Sequence, residues 1–240
     1  MDGVALMYAP TQRAFTTPGG HRVMMHYRRD TNDYNTLNAS LDGDEYRLPS
    51  GLTGTAIDVG GYLGSVGIAL AADNPGLRVV IIEPVPPNAE LIRQNIDANG
   101  LAERITLVIG AVGKGGETVD VWYGYTGSES AEHHAFVGNS TLAYDHGSML
   151  PHQTSTYKAI SLASLVKAHG PLTLLKIDTE GAEWAFLSSP AVKDVGIILG
   201  EWHPVRGHTQ DDMAALLVAT HNVTFTGPDG GPGGFTAIRS

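Results

Sequence analysis

The run Ile57-Asp-Val-Gly-Gly-Tyr-Leu-Gly64 takes an apolar stretch into a glycine-rich turn. Glycines at 60, 61 and 64 let the backbone turn tightly and let a ligand approach main-chain N–H groups with no Cβ in the way. A dinucleotide pyrophosphate asks for G-x-G-x-x-G, and Tyr62 breaks that spacing. Asp58, just ahead of Gly60, would repel a pyrophosphate but hold an ammonium. Glu83-Pro84 closes the next apolar run, at a place where a carboxylate accepts both ribose hydroxyls of an adenosine. The turn Ile109-Gly110-Ala111-Val112 follows the third run and is placed to read an adenine edge through its backbone, which makes Ala111 a cofactor-binding candidate. A ligand with adenosine at one end and an ammonium at the other satisfies all of these groups. S-adenosylmethionine has that form, and its sulfonium makes methyl transfer the chemistry to look for.

Transfer from a sulfonium is an in-line displacement in which the protein aligns the acceptor, excludes water and, for an alcohol, removes a proton as the new bond forms. Asp178 ends one apolar run, and Glu201 and His203 end the next. If these runs are neighbouring parallel strands, the three side chains meet over one crevice. His203 is the expected base, as a neutral imidazole oriented by Asp178 or Glu201. Plainer roles compete with this one. Asp178 would bind cofactor or cap the next helix, Glu180 and Glu183 would complement its dipole, Lys176 would neutralise nearby acids, and Trp184 would sit in the core. Asp178, Glu201 and His203 also offer hard ligands for Mg²⁺ or Mn²⁺, a metal-assisted alternative, although three ligands placed only by strand ends do not by themselves assign a metal.

These residues need a scaffold that brings strand ends together. From Thr55 onward short apolar runs alternate with amphipathic segments, the pattern of βαβ units on a parallel sheet. Strands are expected at 55–59, 78–82, 105–108, 118–123, 157–160, 172–177, 195–201, 222–226 and 234–238. Helices are expected at 64–72, 87–99, 162–169, 182–187 and 211–221. Residues 1–50 read as an N-terminal cap, and 51–240 as one doubly wound α/β domain ending in an antiparallel hairpin. Residues 126–153, with His133, His134, His146 and His152 among glycines and serines, read as a lid-like loop, their histidines exposed and without metal spacing.

Composition narrows the partners. With no cysteine there is no disulfide framework, thiolate metal site or cysteine nucleophile, which fits a reducing cytoplasm. The charge balance is −10, with 15 basic and 25 acidic residues, so a phosphate lattice is disfavoured and a nucleic-acid partner is not expected. The opening residues have no basic start or sustained apolar run, and no stretch reaches the ~18 apolar residues of a membrane span. A small-molecule acceptor is the expected partner, with oligomeric state open, a homodimer included.

The stretch Leu174-Leu-Lys-Ile-Asp-Thr-Glu-Gly-Ala-Glu-Trp184 resembles the hallmark of the FkbM-type methyltransferases, which use S-adenosylmethionine. The order of Ile57–Gly64, Glu83-Pro84, Ala111-Val112, Asn139-Ser-Thr-Leu142 and Gly200-Glu-Trp-His-Pro204 is similar too, so the resemblance spans about residues 30–204. It implies a class I methyltransferase sheet of seven strands, the last antiparallel, and methyl transfer most often to a hydroxyl of a sugar or polyketide-type metabolite. Gly60-Gly61-Tyr62 departs from the family's usual Gly-Ala-Asn, so the Tyr62 ring is expected at the cofactor's methionine end or on the substrate side. Transfer to an amine is the runner-up among transferases. An NAD-dependent dehydrogenase is disfavoured by the glycine spacing and Asp58, and a non-enzymatic adenosine-ligand binder remains the alternative outside catalysis.

Overall fold

The computed structural model describes residues 10–29, 31–126, 135–140, 150–227 and 233–240. In chain order, β1 (Pro10–Thr16) and β2 (Arg22–Arg28) form an antiparallel hairpin, followed by α1 (Asp33–Ser40). Alternating units then give β3 (Thr53–Val59), α2 (Ser65–Asp73), β4 (Gly76–Glu83), α3 (Pro86–Ala98) and β5 (Ile105–Ile109). The strands β6 (Thr118–Thr126), β7 (Ala135–Ser140) and β8 (Leu150–Lys158) come next. The chain continues through α4 (Leu162–His169), β9 (Leu172–Ile177), α5 (Glu183–Leu187) and β10 (Val195–Trp202). It ends with α6 (Gln210–Leu217), β11 (His221–Thr226) and β12 (Gly233–Arg239).

The central sheet runs β11-β12-β10-β9-β3-β4-β5. Strands β10, β9, β3, β4 and β5 pair in parallel, while β12 lies antiparallel to both β10 and β11. Strands buried on both faces read as nearly unbroken apolar runs, as in Val79–Ile82 and Leu172–Ile177. Because side chains alternate across a strand, Ile57 and Val59 face one core with Phe186, Trp202 and Met213, and Ala56 faces the other with Ile68, Leu70 and Ile92. Asp58 follows Ala56 and therefore points toward α2, where it accepts a hydrogen bond from Gly67 N–H at 2.9 Å. A Cβ at Gly67 would stand 2.6 Å from Ile81, so a glycine is needed for the helix to approach this closely.

Helix α2 is buried from Ser65 through Ala71, on all sides. Such a helix needs cover on its outer face, and residues 10–48 supply it: Phe15, Val23, Met25, Leu37 and Leu41 share one core with it. The buried Arg28–Asp33 pair, bonded at 2.8 and 3.0 Å, ties β2 to α1.

The expected irregular stretch 126–153 is corrected in part. Residues 135–140 and 150–153 belong to strands of a second, three-stranded antiparallel sheet, β7-β6-β8. Its period-two signal lies in β6, where Val119, Val121 and Tyr123 point to a small core with Val85 and Ala111. The strand expected at 157–160 thus ends at Lys158 and begins at Leu150, and the last helix stops at Leu217 because His221 opens β11. The rest of the expected lid, including His133, His134, His146, Thr141 and Leu142, lies outside the described residues, as does most of the turn between β11 and β12.

Candidate functional site

Parallel strands leave a crevice beyond their C-terminal ends where the sheet order reverses, here between β3 and β9. A cavity of about 310 Å³ opens there. Its floor is the turn after β3: Gly60 and Gly61 N–H donate to Ile82 O at 3.0 and 3.2 Å. Gly60 has φ +74, and a Cβ on it would lie 1.8 Å from Asp178 O, so the turn and the end of β9 are pressed together without room for a side chain.

Glu83 lines the cavity while being almost wholly buried. It accepts from Tyr62 N–H (2.9 Å), Val85 N–H (3.0 Å) and Asn88 Nδ2 (3.2 Å). Burial outweighs these bonds and pushes its carboxyl up to about 7. Asn88, missed in the sequence reading, also lines the cavity, and its buried Oδ1 has no hydrogen-bond partner among the described residues. An unpaired acceptor on the cavity wall is available to a ligand donor. Pro84, Gly110, Ala111, Val112 and Val121 form the wall beyond, and Tyr157 donates to Pro84 O at 2.5 Å, fixing the second sheet over it.

Two cofactor expectations, Asp58 and Gly64, need correction. Asp58 is fully buried and absent from the cavity wall; it stands 3.6 Å from Lys176 Nζ, its in-register partner on β9, and so is not placed to hold a ligand ammonium. Gly64 is the N-cap of α2 and also does not line the cavity. Tyr62 does line it, but its hydroxyl donates to Asp33 Oδ1 at 2.6 Å and its ring lies under Arg28, so it joins the turn to the cap.

At the opposite end, Asp178 Oδ2 accepts from Tyr46 OH at 3.0 Å and lies 3.9 Å from Lys176 Nζ. The buried Lys176 donates to Gly60 O at 3.0 Å, and its ammonium is held raised by Asp58 and Asp178 against the pull of burial. Asp178, Glu201 and His203 do come together: one ligand atom of each lies within 4.8 Å of the others. The orienting partner of His203 is neither Asp178 nor Glu201, however. The fully buried Glu183 accepts from His203 N–H at 2.8 Å and lies 3.0 Å from its Nδ1, while its other oxygen accepts from Thr179 and Gly181. Glu180 Oε2 stands 3.5 Å from His203 Nε2. Burial opposes the imidazolium, but Glu183, Glu180 and Asp178 prevail and push His203 up to about 9. At neutral pH it carries a proton instead of awaiting one. Burial and Asp178 also raise Glu201. Trp184 is core, as read, stacked on His208 with its Nε1 donating to His203 O at 2.8 Å.

A seven-stranded sheet with its reversed strand next to β10, a glycine turn after the first central strand and a carboxylate at the end of the second define a class I methyltransferase. More narrowly, residues 58–225 match the model of the methyltransferase FkbM domain, and the chain belongs to that S-adenosylmethionine-dependent family. It is 41% identical over 56 residues to the O-methyltransferase imqG of Aspergillus flavus, a match spanning 23% of this chain and 23% of that protein. Among solved structures, it is similar to precorrin-6y C5,15-methyltransferase from Geobacter metallireducens (13% identity, 88% of this chain, 92% of that one, TM-score 0.47). It is also similar to the O-methyltransferase from Bacillus cereus in complex with SAH (17% identity, 78% and 74% covered, TM-score 0.44).

Proposed function

We infer that this methyltransferase moves the methyl group of S-adenosylmethionine to a hydroxyl oxygen of a small metabolite of sugar or polyketide type, in the cytoplasm. The observation that carries the reading is a cavity whose two ends differ in chemistry. One end pairs Glu83 with the unpartnered Asn88 Oδ1, acceptors suited to the two ribose hydroxyls. The other gathers Asp178, Glu180 and Glu45, charges suited to an ammonium and a sulfonium. Gly110 and Ala111 would face the adenine, and Asp178, partly exposed at the mouth of the turn, replaces Asp58 as the group for the ammonium. Bound S-adenosylmethionine supplies a methyl group and its own leaving group, so the protein has only to align the acceptor, exclude water and receive a proton.

The test has two parts. S-adenosylhomocysteine at about 100 times its Kd should stabilise the protein by about 2.7 kcal/mol, and no binding at millimolar ligand removes the reading. Radiolabelled methyl donor incubated with sugars, phenols and amines then assigns the acceptor atom; label found only on nitrogen overturns the hydroxyl assignment.

A further inference from the structure

We propose that Glu45, carried into the cavity by the N-terminal cap, faces the transferring methyl group and receives the acceptor's proton. The inference rests on the methyl-transfer reading above. Glu45 is exposed at the cavity wall, which it lines together with Asp178 and Lys176, and its carboxylate has no hydrogen-bond partner among the described residues. Its own segment fixes it there. Glu45 N–H donates to Ala39 O, and the next residue, Tyr46, donates to Asp178 and lies under the Lys176 ammonium, 5.2 Å from its ring centre. Asp44 (φ +46) and Arg47 (φ +51) hold left-handed backbone on either side of this pair. The other non-glycine residues in that region, among those described, are Tyr62 (φ +50) and Glu180 (φ +54), which also line the cavity. Strain of this kind persists where the surroundings impose it, commonly at working sites.

The competing group is committed elsewhere. Both ring nitrogens of His203 face carboxylates, Glu183 at 3.0 Å and Glu180 at 3.5 Å, and the ring is already a cation at neutral pH. Glu45 differs. Although the residue is exposed at the rim, partial desolvation there and the Glu201 charge raise its carboxyl to about 7, with Lys176 opposing and Asp178 adding to them. These are the charged groups that face it, from β9 and β10, with Tyr46 beside it. A carboxylate tuned near the working pH is ionised enough to receive a proton and basic enough to keep it for the step. In the transfer, a lone pair of the acceptor oxygen forms the O–C bond as the C–S bond breaks. The electron pair stays on sulfur as a neutral thioether, and the hydroxyl proton passes to Glu45 and then to water.

The placement is tested without knowing the acceptor, using sinefungin, which carries an ammonium where the methyl group stands, against S-adenosylhomocysteine, which carries nothing there. Glu45→Gln should weaken sinefungin at pH 8 by about tenfold or more while moving S-adenosylhomocysteine by less than about twofold. Glu45→Asp should fall between the two. In the unsubstituted protein the preference for sinefungin should grow as pH rises through about 7, and Glu45→Gln should flatten that growth. Equal losses for both ligands would make Glu45 a structural wall and overturn the proposal, as would no loss for either. Failure of the unsubstituted protein to bind S-adenosylhomocysteine would instead remove the methyl-donor reading on which it stands.

Discussion

Lys176→Met should be among the most damaging single substitutions in the core. Asp58 is wholly buried, and apart from Gly67 N–H its compensation is the Lys176 ammonium 3.6 Å away. Removing one partner of a buried pair leaves the other charge uncompensated, at a cost of about 3–5 kcal/mol. For a chain of this length that corresponds to a fall in Tm of about 10 °C. The variant also loses the bond to Gly60 O, so S-adenosylhomocysteine should bind more weakly as well. Adding Asp58→Asn keeps an acceptor for Gly67 N–H but removes the stranded charge, and should restore more than half of the lost stability. Burial already raises the Asp58 carboxyl, and without Lys176 it rises further. A carboxyl raised in the folded state favours folding at low pH, so the deficit of Lys176→Met should be largest near pH 8 and shrink toward pH 5. Urea unfolding of the single and double variants at both pH values measures this. A single variant within about 1 kcal/mol of the parent, or a double variant no more stable than the single, would refute the pairing as the source of the cost.

Other outcomes follow from the site. Glu83→Gln presents an amide nitrogen to one of three donors and loses the charge, and should weaken S-adenosylhomocysteine by about tenfold or more in calorimetry while leaving the fold intact. His203 is raised from 6.5 to about 9 in the folded protein, so its contribution is fully present below about pH 6.5 and lost as pH rises through about 9. The gap between parent and His203→Gln should be on the order of 3 kcal/mol at pH 6 and much smaller near pH 10. Denaturant unfolding across that range checks it, and a gap independent of pH would show that Glu183 and Glu180 do not hold the imidazolium.

Local pattern was enough for much of the scaffold. Buried parallel strands announce themselves as short apolar runs, and Glu83 and Asp178 are legible because each is the first acid after such a run. The antiparallel end of the sheet was legible as well, from two short strands flanking a Gly/Pro turn. Strand β7 and most of β8 were not, because β7 is short and broken by a glycine, and β8 is polar at most positions and has little apolar contrast with a loop. Glu183 read as one of two ordinary first-turn acids. Nothing in its spacing to His203 says that the chain after β10 folds back over the start of α5, so that one buried carboxylate bonds both the backbone and the ring of His203.

The sequence by itself therefore determined what depends on neighbours along the chain: the order of strands and helices, the tight turn at Gly60-Gly61, the acids at strand ends and, through the motif Leu174–Trp184, the family. Tertiary structure decided what depends on register and on distant segments. Strand alternation turns Asp58 away from the cavity and into register with Lys176. Packing of the cap over the apolar helix α2 delivers Tyr46 to Asp178 across 132 residues of sequence, and with it Glu45 to the cavity wall. Strand pairing and core burial set those contacts, and neither leaves a local mark in the polar segment that contains Glu45.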